Sequence, residues 1–287
     1  MYNIGQFMGV IMQEIKLGDI NVPSLKRISS NWSTYATVYT DGEVCYKIFR
    51  NPSSFDNKAL YNNFKDMDGM KIDGVILPED LIVDDGILEG FTMPLFKNSM
   101  TLSRRFGTRY VDKRLVVSAF RNASFIIREM HKNGVVCQDL SLENILINDQ
   151  GDVCVCDPDS FAYKSYYSGS FAKLFILFLL KYRDTKVKKW EDIDNISMYI
   201  AFYYLMFEKE IQKVSRGKYN KLSCEMKTVE NLRGIRDLLV DKKRELFDLP
   251  YFDEFASNLD VGTLDKNKCL TIGQKVYNAV ERRFQNG

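Results

Sequence analysis

The stretch DLSLENILINDQGDVCVCD, residues 139 to 157, sets Asp139 and Asn144 five residues apart and places Asp157 thirteen beyond the Asn. Between the last two lie an apolar run, Ile145 to Ile147, a polar loop ending at Gly151, and a second run, Val153 to Cys156. Two strand-like runs joined by a short loop containing Gly predict a β-hairpin. A hairpin symmetric about its loop brings Asn144 and Asp157 opposite each other at its open end, where neighbouring strands lie about 5 Å apart. Two short oxygen-bearing side chains converging there suit a hard divalent cation.

The composition narrows what else the chain can do. Six cysteines stand at 45, 137, 154, 156, 224 and 269, with no CxxC pair, which reads as reduced thiols of a cytosolic protein. Cys154 and Cys156 share one face of a predicted strand and suit core filling better than a metal clip. The one histidine, His131, rules out a multi-histidine zinc site and leaves a single candidate base for any Ser-His-Asp or Cys-His system. Chemistry must therefore come mainly from carboxylates, lysines and a bound metal or cofactor. A net charge of +2 calls for neither nucleic acid nor an anionic membrane as partner. The N-terminus lacks the basic lead of a secretory signal, and the longest apolar run, Leu174 to Leu180, is far short of the ~20 residues a membrane span needs. The expected location is the cytoplasm, with no membrane span.

The elements that must position these residues follow from pattern. Residues 28 to 50 predict two strands about the Asp41-Gly42 turn. In the second strand Cys45, Lys47 and Phe49 share a face, while Val44, Tyr46 and Ile48 share the other. Lys47 then sits among apolar neighbours, either as a functional cation or as an edge-strand lysine snorkelling to water. A helix is expected over about 55 to 67, and strands broken by DDG over 75 to 96. Beyond Pro94 the pattern turns helical. Leu115, Ala119, Ala123, Ile126, Ile127 and Met130 recur at helical spacing before a stop at Gly134. Residues 194 to 207, DNISMYIAFYYLMF, are apolar all round and predict a buried helix capped by Asp194 or Asn195.

Taken in order, HKNGVVCQDLSLENILINDQGDVCVCD resembles the catalytic loop and metal-binding segment of the protein-kinase-like superfamily, H-R-D-L-x-x-x-N followed by a hairpin and an Asp. The resemblance covers roughly residues 28 to 207. It implies an α+β bilobal fold, with a β-rich N-lobe over 1–95, a hinge over Met93 to Asn98 and a mainly helical C-lobe over 96–287. It also implies that Asp139 is the catalytic Asp, that Asn144 and Asp157 hold Mg²⁺, and that Lys47 in VCYKIF binds the ATP phosphates. Asp194 corresponds to the start of the family's buried central helix.

The departures are equally specific. The glycine-loop positions are Asn31, Ser33 and Ala36 in NWSTYATV, small but not glycine. Gln138 replaces the Arg before the catalytic Asp, Ser141 stands where protein kinases carry Lys, and the metal motif reads DPDSF. DxDSF and GFTMPLF look like a bacterial branch of the family. No Glu is present in the helix FDNKALYNNFKDMDG to pair with Lys47, and Asp66 is the nearest acid by spacing. In place of A-P-E lies SFAKLFILFLLKYR, expected to be a buried helix or a partner-binding surface. His131 is expected to pack beside the catalytic loop, Ser165 to Ser170 to form a polar loop, and Lys186 to Trp190 a solvated face.

The resemblance implies an ATP- and Mg²⁺-dependent kinase acting on Ser or Thr of a protein. Two alternatives stay open: a small-molecule kinase of the antibiotic or choline kinase type, and a pseudokinase serving as a nucleotide-binding scaffold. The partners expected are ATP and a protein or small-molecule hydroxyl acceptor.

Overall fold

The computed structural model describes residues 11–29, 35–54, 56–106, 113–164 and 251–257, with positions 191, 194, 195, 197, 198, 201, 202 and 205 between the last two stretches. Asn31, Ser33, the Ser165–Ser170 cluster, the apolar segment 171–180, the Lys-rich 186–190, Cys224 and Cys269 lie outside the described residues.

The fold is mixed α+β, with a β-rich N-terminal region followed by helices. Strands β1 (Glu14–Ile15), β2 (Lys26–Arg27), β3 (Ala36–Thr40), β4 (Val44–Phe49), β5 (Leu81–Asp84) and β6 (Ile87–Pro94) form one sheet in the order β1-β5-β6-β4-β3-β2. All its pairs are antiparallel except β1 with β5. The β3–β4 turn forms because Asp41 Oδ1 accepts the backbone N–H groups of Glu43 and Val44, both at 2.9 Å. The β5–β6 turn is Asp85-Gly86, with φ of 47° and 78°, the left-handed pair that a two-residue hairpin requires.

Helix α1 (Asn57–Asp66) starts where Asp56 caps the Ala59 N–H at 3.0 Å. Its Leu60 and Phe64 pack beneath the sheet, the Phe64 and Phe91 rings meeting edge to face at 5.0 Å. The Asn57 side chain donates to the Leu88 carbonyl at 2.8 Å and accepts its N–H at 2.9 Å, fastening the helix start to β6.

After β6 come β7 (Ser99–Thr101), α2 (Leu102–Phe106), α3 (Lys113–Lys132), β8 (Val135–Val136), β9 (Ile145–Asn148), β10 (Val153–Val155) and β11 (Ala162–Tyr163). Strands β10, β9 and β7 form a second sheet, and β11 pairs with β8. Helix α3 ends before Gly134, whose φ of 74° is the left-handed stop glycine supplies. The described positions between 191 and 205 are helical, and Phe202 from there meets Phe120 of α3 and Phe252 of α4 (Phe252–Ser257). No helix among the described residues is long and apolar enough to cross a membrane.

Strand β4 lies between β3 and β6, so Lys47 is on a central strand and only 8% exposed. This removes the edge-strand alternative. β6 approaches it through Gly90, where an added Cβ would stand 2.2 Å from the Lys47 carbonyl oxygen. Gly90→Ala is therefore expected to force β4 and β6 apart, costing about 3 kcal/mol or more, within and beyond the range of overpacking. Gly18→Ala, into open space at an ordinary φ, should change stability by under ~0.5 kcal/mol. Denaturant unfolding of the two variants checks the contrast.

Candidate functional site

The hairpin of β9 and β10 pairs Val153 with Ile147, Cys154 with Leu146 and Val155 with Ile145. Asn148 shapes its loop, accepting the Gln150 and Asp152 N–H groups at 3.0 and 2.8 Å, and Gly151 closes it at φ 87°. An odd number of loop residues shifts the register by one from the symmetric expectation. Asn144 therefore faces Cys156, whose N–H it accepts at 3.0 Å, and Asp157 falls one residue further on. Asp157 itself adopts φ 80°, ψ 54°, a left-handed turn that ends the strand direction.

That turn begins a short 3-10 segment, Pro158–Ser160, held by Ser160, whose N–H and hydroxyl donate to the Asp157 carbonyl at 3.0 and 2.8 Å. The result sets Asp157 and Asp159 on the same cation. Lys47 Nζ donates to Oδ1 of each, across 110 and 112 residues of chain. Burial works against the Lys47 charge, but attraction first to Asp157 and then to Asp159 outweighs it and holds the ammonium above the ordinary lysine range. Burial, with repulsion from Asp157, pushes Asp159 up despite Lys47.

Asp139 belongs to the loop between β8 and β9. Two backbone N–H groups of that loop, Cys137 at 2.6 Å and Gln138 at 2.9 Å, donate to the fully buried carboxylate of Asp194. His131 Nε2 meets the same carboxylate at 3.0 Å, and since a carboxylate only accepts, Nε2 carries the proton. His131 Nδ1 meets the Tyr251 hydroxyl at 2.7 Å. His131 thus packs beside the loop in a supporting position. Gln138 takes φ 63°, the bend that presents Asp139. Asn144 Nδ2 donates to the Asp139 carbonyl at 2.7 Å, fixing the planar amide.

Burial first, then the nearby Asp157 carboxylate, raise Asp139 to about 6. A carboxyl at that value is poised near neutrality, where proton acceptance is effective.

Two of the expected site residues lie elsewhere. Asp66 does not pair with Lys47; it is half exposed at the end of α1 and pairs with Lys164 at 3.1 Å. The physical reason is helical phase: the inward positions of α1 are Leu60, Asn63 and Phe64, and Asp66 is off that face. Ala36 begins β3 opposite Phe49 with its side chain in the core, 1% exposed.

Asp159 was not among the expected site residues, although the Asp-Pro-Asp spacing signals it. Proline fixes the first turn of a tight segment, which leaves two carboxylates two residues apart with little freedom. Asn63 gave no signal in its residue type.

Among the described residues no group of three or more His, Cys, Asp or Glu could hold a metal ion. Magnesium takes one or two protein oxygens and completes its shell with waters and substrate phosphates.

Replacing Asp194 by Ala leaves two loop N–H groups and His131 facing an empty buried volume. The expected cost is about 3 kcal/mol or more in denaturant unfolding. A second test uses the raised Asp139. Its folded pKa lies above the unfolded value of about 3.9, so the native state binds the extra proton and the charge costs stability as pH rises from about 4 to 6. Asp139→Asn should thus stabilise the protein by on the order of 2 kcal/mol at pH 7 and by much less at pH 4.5. An equal change at both pH values would contradict the burial of this charge.

No family model matches the chain, and no curated protein matches it either.

Proposed function

We propose that this chain is a Mg²⁺- and ATP-dependent phosphotransferase with a bilobal protein-kinase-like fold, resembling the bacterial DxDSF branch, that transfers the γ-phosphoryl group to a hydroxyl. The observation that carries the reading is the convergence of Lys47, from the central strand of the N-terminal sheet, with Asp157 at the end of the β9–β10 hairpin. A lysine and a carboxylate brought together from opposite parts of the chain are the charges a metal-bound polyphosphate requires.

The roles follow from position. Asn144 Oδ1 and Asp157 would hold magnesium, which when bound neutralises phosphate charge as it develops. Lys47 would offer a point charge to the α- and β-phosphates. Asp139, with its carboxyl raised by burial to about 6, would orient the acceptor hydroxyl and take its proton as the new P–O bond forms and the β–γ bridge breaks. Met93 to Asn98 would be the hinge between lobes. Cytoplasmic residence and a protein hydroxyl as acceptor belong to the same reading.

Incubation with Mg²⁺ and γ-labelled ATP, alone and with a generic protein acceptor, tests it. Labelling should occur with the unmodified protein and fall on the order of a hundredfold or more in Asp139→Asn, with nucleotide binding retained. Asp157→Ala should lose Mg²⁺-dependent binding. Equal labelling by Asp139→Asn would overturn the role of Asp139. Stabilisation by Mg·ATP without labelling would point to a small-molecule acceptor or a nucleotide-binding scaffold. No stabilisation would overturn the reading.

A further inference from the structure

We infer that Asp159 is the positioning residue for Lys47, standing in for the helix acid this chain lacks; the inference rests on the phosphotransfer reading above. Lys47 has two carboxylate partners with different surroundings. The Asp157 side chain is 30% exposed and the Asp159 side chain 21%, against 10% for Lys47. Under the proposed function Asp157 must turn to the metal. A buried ammonium left with no counter-charge would then be strongly disfavoured.

Nothing on α1 can take that place. Its inward polar position is Asn63, 2% exposed, and both ends of the amide are engaged. Nδ2 donates to the Phe161 carbonyl at 2.9 Å and Oδ1 accepts the Tyr163 N–H at 3.2 Å. The one acid at the end of α1, Asp66, pairs with Lys164. Asp159 is by contrast already on Lys47, in a turn fixed by Pro158 and by the Ser160 bonds to the Asp157 carbonyl. It keeps the lysine in place whether or not Asp157 is shared with a metal.

A double-mutant cycle on Lys47→Met and Asp159→Asn, in the full chain, tests this with two readouts. In Mg·ATP binding, Asp159→Asn should weaken affinity roughly tenfold in the unmodified background and less than twofold in the Lys47→Met background. In thermal melting without nucleotide, Asp159→Asn should change the melting temperature of the unmodified protein little, since the attraction of Lys47 is offset by burial and by repulsion from Asp157. In Lys47→Met it should raise it, because it removes one of two carboxylates left facing each other. Equal effects in both backgrounds, in either readout, would overturn the inference, since Asp159 would then act on the metal or on the fold directly. Unmodified protein that binds no Mg·ATP would remove the phosphotransfer reading and this inference with it. Binding that Asp159→Asn leaves unchanged would remove this inference alone. Should Lys47→Met not fold, Lys47→Arg keeps the charge, and failure of Asp159→Asn to alter its Mg·ATP affinity would equally overturn the role.

Discussion

A buried ammonium is the constraint on which the site depends. Lys47 is fixed by strand pairing on both sides, opposite Val38 of β3 and Phe91 of β6, so it cannot swing to water. A charge in that position costs several kcal/mol unless opposite charges meet it. Asp157 and Asp159 supply them from a turn that the N-terminal sheet does not contain. The electrostatic need of one side chain thereby docks the hairpin region onto the sheet, and the docking is specific because, among the described residues, one pair of carboxylates reaches the lysine.

A second buried charge organises the other half of the site. Asp194 is wholly enclosed and accepts from two loop N–H groups and from His131. Hydrogen bonds to a carboxylate in a dry environment are strong, and leaving any donor unpaired there is expensive. The loop that carries Asp139 is therefore positioned from beneath by backbone contacts, independent of the residue before Asp139. This accounts for how Gln138 can occupy that position: the loop's shape is held by Asp194 through the N–H of whatever residue stands there.

Much of this was legible in the sequence, because strong local patterns set it. The Asp41-Gly42 and Asp85-Gly86 turns, the α3 periodicity ending at Gly134 and the β9–β10 hairpin all follow from turn chemistry and spacing. Register was less legible. Asn144 and Asp157 were expected to face each other, and a loop closed by Asn148 and Gly151 moved Asp157 one residue on. The partner of Lys47 was misplaced for a similar reason. Sequence spacing favoured Asp66, but helical phase decides which side chain faces inward, and the inward residue is Asn63. No pattern in α1 announces that its polar contact would be with backbone atoms of residues 161 and 163, since that contact is fixed by tertiary packing alone.

The segment from Asp157 to Tyr163 joins these constraints. Its two aspartates hold Lys47, the carbonyl of Phe161 and the N–H of Tyr163 hold Asn63 of α1, and β11 pairs with β8, which leads directly into the loop anchored by Asp194. Phe161 is fully buried, so the segment cannot shift without opening the core. The lysine, the helix and the Asp139 loop therefore share one short, rigid support. Here an acid that meets Lys47 belongs to the turn after β10, while the helix is tied to the same segment by an amide. Displacing α1 would break neutral hydrogen bonds but leave the lysine paired, which makes the position of Lys47 depend on the turn and not on the helix.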